Sequence, residues 1–211
     1  MCSSDLSTAW TTSPSPPPPR PKRRATAADP SAMYRPAFHR EDDLDKQHAL
    51  IRARPLGLLV SSGPGGLMAS PAPFVLRAGA SKSGVLALHL ARANPQWRDL
   101  DKGGEPLAVF QDADAYVSPS WYATKRETGM VVPTWNYVAV HAYGPVEFFE
   151  DVDRLLDVVT RLTNLHEGPR PEPWAVTDAP ESFIKAQLPG IVGLRMPITR
   201  DRKSTRLNSS H

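Results

Sequence analysis

Residues 134–148 have the sequence TWNYVAVHAYGPVEF, in which two sets of side chains alternate. One face of an extended chain would carry Trp135, Tyr137, Ala139, His141 and Tyr143, and the other would carry Asn136, Val138, Val140 and Ala142. Alternation with a period of two predicts a β-strand. Because both faces are largely apolar or aromatic, we expect an interior strand or a strand at an interface.

The pattern changes to a helical period directly after this strand. Residues 151–166 would place one apolar row inward, formed by Val152, Leu155, Leu156, Val159 and Leu162. Further strands are predicted near residues 56–61, 67–76, 84–90, 106–111, 115–118 and 191–198, and further helices after Glu41 and Pro180. Antiparallel hairpins interrupted by helices indicate an α+β fold built on a barrel of mainly antiparallel strands, not a doubly wound parallel sheet.

The positive charge of this 211-residue chain is concentrated at its two ends. The formal net charge is +3, but the segment 33–199 holds 17 basic and 19 acidic residues, a net of −2. The body of the chain therefore predicts no basic groove for nucleic acid. One cysteine, Cys2, excludes an internal disulfide framework and a cysteine-clustered metal site. No apolar run reaches the roughly 20 residues that span a bilayer, so we expect a cytoplasmic protein.

Both ends of the chain have an unusual character. Residues 201–211 resemble the translation of a common sequencing adapter, and residues 1–6 resemble the translation of its complementary strand. We therefore expect residues 201–211 to be an adapter-derived tail that adds nothing to the fold, and residues 33–200 to be a domain truncated at its C-terminus. Residues 1–32, with their proline-rich run, predict a disordered or artefactual extension, with a proline-rich ligand or a basic nucleic-acid arm as the alternative.

Two segments of the body carry cationic side chains suited to an anion. Residues 89–97 include His89, Arg92 and Asn94, and the forked guanidinium of Arg92 suits a phosphate or a carboxylate. His89 is either part of a site or a core histidine whose hydrogen bonds are satisfied. Residues 116–125 combine three aromatic side chains with Lys125, which suits a planar ring beside an anion or, alternatively, an aromatic interface.

Two further segments supply polar atoms beside apolar ones. Residues 131–141 place Thr134 and Asn136 next to aromatic side chains at the start of the predicted strand. In residues 68–74, Ser70 precedes Pro71 and Pro73, which predict an edge strand or a bend that faces a ligand. The sequence contains no nucleophile elbow, phosphate-binding loop, zinc-protease pair or dinucleotide fingerprint, so we assign no catalytic and no metal-binding residues.

The motifs of these segments closely resemble those of the PaiB-type family, whose members are called FMN-binding negative transcriptional regulators. The resemblance rests on the strings ARANP (91–95), YVSPSWY (116–122) and VPTWNY (132–137), and it runs from Met33 to about Ile198. The sequence departs from the family at Pro71, where many relatives have histidine. It also departs after Ile198, where the family continues with a segment that bears lysine and asparagine.

The resemblance implies a split β-barrel like that of pyridoxamine-phosphate oxidases, forming a bacterial-type homodimer with FMN at the subunit interface. We expect the cofactor phosphate at Arg92, with Ser70 and Lys125 assisting. The isoalloxazine ring is expected near His89, Asn94, Trp121, Thr134 and Asn136. Three functions stay open: a flavin-binding negative transcriptional regulator, a flavin-dependent oxidoreductase and a haem-binding relative. A DNA or regulatory partner finds no support in the charge of the body.

Overall fold

The computed structural model of the protein describes residues 39–206, with side chains from His39 to Arg200. The strands in this range are β1 (Arg40–Glu41), β2 (Leu56–Gly63), β3 (Gly66–Pro73), β4 (Val75–Arg77), β5 (Val85–Ala91), β6 (Leu107–Val117), β7 (Thr134–Tyr143), β8 (Glu147–Phe149), β9 (Ile191–Pro197) and β10 (Arg200–Arg206). The helices are α1 (Leu44–Ala53), α2 (Gln96–Asp101), α3 (Ala123–Glu127), α4 (Val152–Glu167) and α5 (Glu181–Gln187).

The strands form two antiparallel sheets around one core. The first sheet has the order β1-β10-β7-β6-β2-β3, and the second has the order β4-β5-β9-β8. The inner faces meet in a buried cluster that includes Leu59, Phe110 and Val140 of the first sheet and Leu86, Leu88 and Leu194 of the second. The rings of Phe74 and Phe110 pack edge to face, with centroids 5.1 Å apart. The predicted α+β class with mainly antiparallel strands is confirmed.

Helix α4 covers the outer face of the second sheet. Its buried residues Leu155, Val158 and Leu162 pack against Val75 and Ala87. The side chain of Asp151 caps the helix by accepting a hydrogen bond of 2.9 Å from the Arg154 N–H. The predicted helix is therefore present. Val152 was predicted to point inward but is 52% exposed, because it occupies the first turn, before α4 reaches the sheet.

Two strand boundaries differ from the prediction. Residues 106–111 and 115–118 belong to the single strand β6, in which the register passes from Gln111 opposite Ala139 to Asp114 opposite Tyr137. This is a β-bulge with one extra residue, and the bulge breaks the alternation that the sequence analysis used. The predicted strand 134–148 is two strands in different sheets, β7 and β8. They separate at Gly144, where a Cβ atom would lie 1.9 Å from the Pro197 carbonyl oxygen.

The C-terminal tail also corrects an expectation. Residues 200–206 form β10, which pairs with β7 from Arg200 opposite Tyr143 to Arg206 opposite Tyr137, and with β1 on its other side. The prediction that the tail adds nothing to the fold is therefore wrong for 201–206. Ladder hydrogen bonds need only backbone groups, so a strand can form there without an apolar pattern. Residues 1–32 and 207–211 lie outside the described residues.

The prediction of an edge position for the proline-bearing segment is confirmed. Strand β3, which contains Pro71 and Pro73, lies at one end of the first sheet and pairs only with β2 there. Its outer edge requires no N–H donors, so proline is tolerated. None of the helices described is long and apolar enough to cross a membrane.

Candidate functional site

An arm of the first sheet carries four of the eight residues predicted to bind the cofactor. Beyond the bulge, residues 114–117 of β6 pair with residues 134–137 of β7, and the chain between them contains a short turn and α3. We call residues 114–137 the β6–β7 arm. Trp121, Lys125, Thr134 and Asn136 all lie on it, so the structure gathers them on one element.

The surface of the β6–β7 arm is aromatic and exposed. Tyr116 and Trp135 lie directly opposite each other in the ladder, with ring centroids 5.9 Å apart. Their exposed fractions are 47% and 54%, and Trp121 is 70% exposed. Three large rings that contact water at one end of a sheet form a surface able to cover a planar ligand or a partner protein.

The turn of the arm holds a cation beside a hydroxyl group. Ser118 begins the turn by accepting a hydrogen bond from the Ser120 N–H at 3.2 Å. The Lys125 ammonium then donates to the Ser120 hydroxyl at 3.0 Å. Lys125 has two further N–H donors, and Ser120 can donate its own O–H. This pair can bind an anion such as a phosphate.

Asn136 leaves a buried acceptor without a donor. Its side-chain Oδ1 is buried and accepts no hydrogen bond from any described residue. It lies on β7 opposite Ala115 of β6, whose methyl side chain carries no polar group. A buried carbonyl oxygen without a donor costs stability, so such an atom indicates a ligand or water that supplies the missing N–H or O–H.

A second group of predicted residues lies near the end of β5. The Asn94 amide donates to the Ser70 hydroxyl at 3.1 Å, and its Oδ1 accepts from the Gln96 N–H at 3.0 Å. Gln96 is fully buried and donates to the Leu59 carbonyl and the Ser61 hydroxyl, both at 2.9 Å. Ser70 and Asn94, which the sequence analysis assigned to one cofactor site, are therefore in direct contact, and their role in binding stays a prediction. The sequence analysis missed Gln96, which fixes this corner and which no pattern in the sequence singled out.

The guanidinium of Arg92 is hydrogen-bonded to other groups of the same chain. Its guanidinium donates to the Pro189 carbonyl at 2.6 Å, to the Ile191 carbonyl at 3.3 Å and to the Glu150 carboxylate at 2.8 Å. The ion pair with Arg92 lowers the pKa of Glu150. Only two of the five guanidinium N–H donors remain for a ligand. The binding of a phosphate by Arg92 stays a prediction, and Lys125 also keeps two N–H donors for that role.

His89 lies on a different face of the protein. Residues Leu86, Leu88 and Leu90 of β5 point into the core, whereas His89 lines a cavity of about 290 Å³ next to α4 and Trp174. Its Nδ1 is buried without a partner among the described residues, and burial lowers its pKa. The structure therefore does not place His89 with the arm residues, and its role stays a prediction.

His141 is a candidate that sequence reasoning left on a strand without a function. It lies on the outer face of β7 beside Tyr143, with ring centroids 6.5 Å apart. Burial lowers its pKa, and its Nδ1 is buried without a partner in the described part of the chain. The only feature of the sequence that pointed to His141 was its place on the same strand face as Tyr137 and Tyr143.

The donors and acceptors of the β6–β7 arm fit FMN. The oxidised isoalloxazine ring has one ring N–H donor, and the Oδ1 of Asn136, which has no donor among the described residues, can accept a hydrogen bond from it. The exposed rings of Trp121 and Trp135 can cover its flat face. The Lys125–Ser120 pair can bind the phosphate, since it offers a cation and a hydroxyl together.

Solved structures with similar folds include proteins that bind flavin and haem. The flavocytochrome Anf3 from Azotobacter vinelandii has a TM-score of 0.61 at 15% identity, covering 86% of this chain and 75% of that one. The FAD and heme binding protein from Mycobacterium smegmatis has a TM-score of 0.60 at 17% identity, covering 81% and 74%. At these identities the likeness establishes the fold, which is that of split β-barrels.

Sequence comparisons assign the family. The uncharacterized protein YKL070W of Saccharomyces cerevisiae is 34% identical over 72% of this chain and 100% of its own length. The protease synthase and sporulation protein PAI 2 of Bacillus subtilis is 29% identical over 79% of this chain and 77% of its own length. Relatives in a fungus and a bacterium show that the family is not confined to bacteria. The family model described as "Putative FMN-binding domain" matches residues 33–200, and the chain thus belongs to the PaiB-type family of split β-barrels, whose cofactor is FMN.

Proposed function

We propose that the protein is an FMN-binding homodimer that acts in negative regulation of transcription without itself binding DNA. The observation that carries the flavin site is the buried, unpaired Oδ1 of Asn136 on an arm with exposed aromatic rings. Bound FMN supplies reversible hydride and electron transfer, which makes the protein able to respond to redox state. The residues of this chain bind and orient the flavin.

The proposed site combines three contacts of different chemistry. Asn136 accepts the hydrogen bond of the ring N–H and so sets the orientation of the isoalloxazine. Lys125 and Ser120 bind the phosphate, because their 3.0 Å pair presents a cation and a hydroxyl on one side of the turn. Ser70 and Asn94, already joined to each other, supply further hydroxyl and amide groups.

Dimer formation is supported by apolar surface on the outer side of the first sheet. Leu56 and Leu67, on the hairpin of β2 and β3, are 68% and 82% exposed. Leu58 and the aromatic rings of the arm extend the same kind of surface. A second copy of the chain is the occupant we propose, since a large exposed apolar area is typical of protein interfaces. A dimer would also let residues of two subunits share one flavin.

Regulation without direct DNA binding is supported by charge and by the relatives. The segment 33–199 has a net charge of −2, and nonspecific DNA affinity rests on neutralised phosphates. The Bacillus relative is named a protease synthase and sporulation protein, and its link with sporulation supports a regulatory role. A flavin-dependent oxidoreductase is the second candidate, and the 70% exposure of Trp121 favours it because a substrate ring could reach the arm.

The flavin site is tested by titrating FMN into the purified full-length chain and following flavin fluorescence. Asn136→Leu keeps the side-chain volume and removes the acceptor, so we expect about tenfold weaker binding. The matched control is Asn164→Leu, an exposed position on α4, which should bind as the parent does. If Asn136→Leu binds FMN as tightly as the parent, the ring does not contact this residue and the proposed site is wrong.

Two further measurements separate the candidate functions. An absorbance spectrum of the purified protein distinguishes flavin from haem, and a Soret band would contradict the proposal. Titration with a DNA duplex at several salt concentrations should show no specific complex. Steady oxidation of NADH or NADPH by the FMN-loaded protein, with an electron acceptor present, would favour the oxidoreductase over the regulator.

A further inference from the structure

A large cavity lies on the side of the molecule where α1, β4 and α4 meet. It has a volume of about 660 Å³. Its apolar wall is formed by Ile51, Phe74, Leu76 and Leu165, of which Ile51 and Phe74 are 2% and 1% exposed. A volume in this range, roughly 300–1,000 Å³, is typical of sites for small molecules. The residues proposed for FMN do not line it.

The polar lining of this cavity is cationic. Arg52 of α1, Arg77 at the end of β4 and Arg161 of α4 all line it, and no described acidic side chain does. Three arginines from three different elements therefore line one space that has an apolar wall. Among the described residues Arg52 has no carboxylate within salt-bridge distance, which leaves its charge without a counterion.

The nearest carboxylate balances only part of this charge. Asp157 accepts two bonds from the Arg161 Nε, at 2.8 and 2.9 Å, and lies 4.0 Å from an Nη atom of Arg77. No bond within the described range uses the Nη atoms of Arg161. Asp157 thus orients Arg161 by its Nε and leaves the fork of the guanidinium available for another anion.

We propose that this cavity binds a small organic carboxylate with an apolar body. The carboxylate accepts hydrogen bonds from the forked donors of Arg77 and Arg161, and Arg52 adds a third positive charge. The apolar body packs on Ile51, Phe74, Leu76 and Leu165, where it is removed from water. The site is separate from the flavin and would give the protein a second ligand, independent of the proposed regulatory function.

The proposal is tested by calorimetric titration of the FMN-loaded full-length protein with octanoate and benzoate, each compared with its uncharged amide. We expect saturable binding of at least one carboxylate and at least tenfold weaker binding of its amide, since the charge-assisted bonds are lost. Arg77→Gln and Arg161→Gln should each weaken binding about tenfold. Arg170→Gln, at an exposed arginine outside the cavity, is the matched control and should change nothing.

A substitution in the apolar wall keeps the test decisive. Should Arg161→Gln lower the melting temperature, Arg77→Gln and Leu165→Ser decide the matter, because both residues are partly exposed. Leu165→Ser should weaken the binding of octanoate while the arginines stay intact. The proposal is overturned by equal binding of carboxylate and amide, by the absence of saturation with both carboxylates, or by unchanged affinity in all cavity variants. Release of FMN by octanoate would also overturn it, because the ligand would then occupy the flavin site.

Discussion

Strands β6 and β7 contribute both to the core of the barrel and to the β6–β7 arm, but their large side chains are buried in the core and exposed on the arm. On one side of the bulge, Phe110 and Val140 are fully buried between the two sheets. On the other side, Tyr116 and Trp135 expose about half of their surface. The core side chains of these strands are buried within one chain, whereas the aromatic rings of the arm are exposed in the described part of the structure.

This difference in burial shows how one pair of strands can stabilise the fold with one part and remain available for binding with the other. The bulge at Asp112 and Ala113 changes the register, and of residues 114–117 beyond it only Val117 is buried. Aromatic residues that cannot be buried within the subunit remain available to a cofactor or to a second subunit. We therefore expect core substitutions to change folding and arm substitutions to change association and flavin binding.

The largest effect is expected in the core. Phe110→Ala removes a ring that packs on Phe74 and leaves a cavity between the sheets, so it should lower the free energy of unfolding by about 3–5 kcal/mol. Urea denaturation followed by circular dichroism measures this loss. A change below about 1 kcal/mol, the range of surface substitutions, would mean that the core does not rest on this ring.

The arm should respond in the opposite way. Trp135→Ser removes an exposed ring, so the free energy of unfolding measured at low concentration should change by less than about 1 kcal/mol. The dissociation constant of the proposed dimer should rise about tenfold. Sedimentation equilibrium over a range of concentrations measures the dissociation constant. Trp174→Ser, at a tryptophan that is 49% exposed outside the arm, is the control and should leave the dimer intact. A parent chain that sediments as a monomer at micromolar concentration would contradict the interface.

The sequence predicted the parts of this comparison that depend on local pattern. The alternation of 134–143 identified β7 and its two faces, because pleating imposes a period of two. The helix α1 was predicted from its acidic start, and Asp43 does cap it. The family motifs identified the fold and the cofactor, which single residues could not.

Other features depend on contacts that are distant in sequence. The bulge in β6 arises from pairing with β7, and nothing between Gln111 and Asp114 marks it in advance. The engagement of Arg92 by Glu150 and by the Pro189 carbonyl joins residues 58 and 97 positions apart. The roles of an arginine as an anion binder or as a structural donor require the same chemistry, so residue type alone does not separate them.

The smallest expected effect concerns pH and His89, which lies on the face of the second sheet that α4 covers. Burial lowers the pKa of His89 below its ordinary value of about 6.5, because the charged imidazolium is disfavoured beside α4. As the pH falls through about 6.5, the unfolded chain takes up a proton that the folded chain does not, so the free energy of unfolding decreases. The stabilisation is fully present above that pH and is lost progressively below it, in a window above the titration of the carboxylates.

Urea denaturation at intervals between about pH 7.5 and 5.5 measures this slope, since that range brackets the ordinary histidine pKa. His89→Gln should flatten it in part, leaving the contribution of His141, whose pKa burial also lowers. An equal slope in the parent and in His89→Gln would contradict this prediction, because the titration of His89 would then not be coupled to folding.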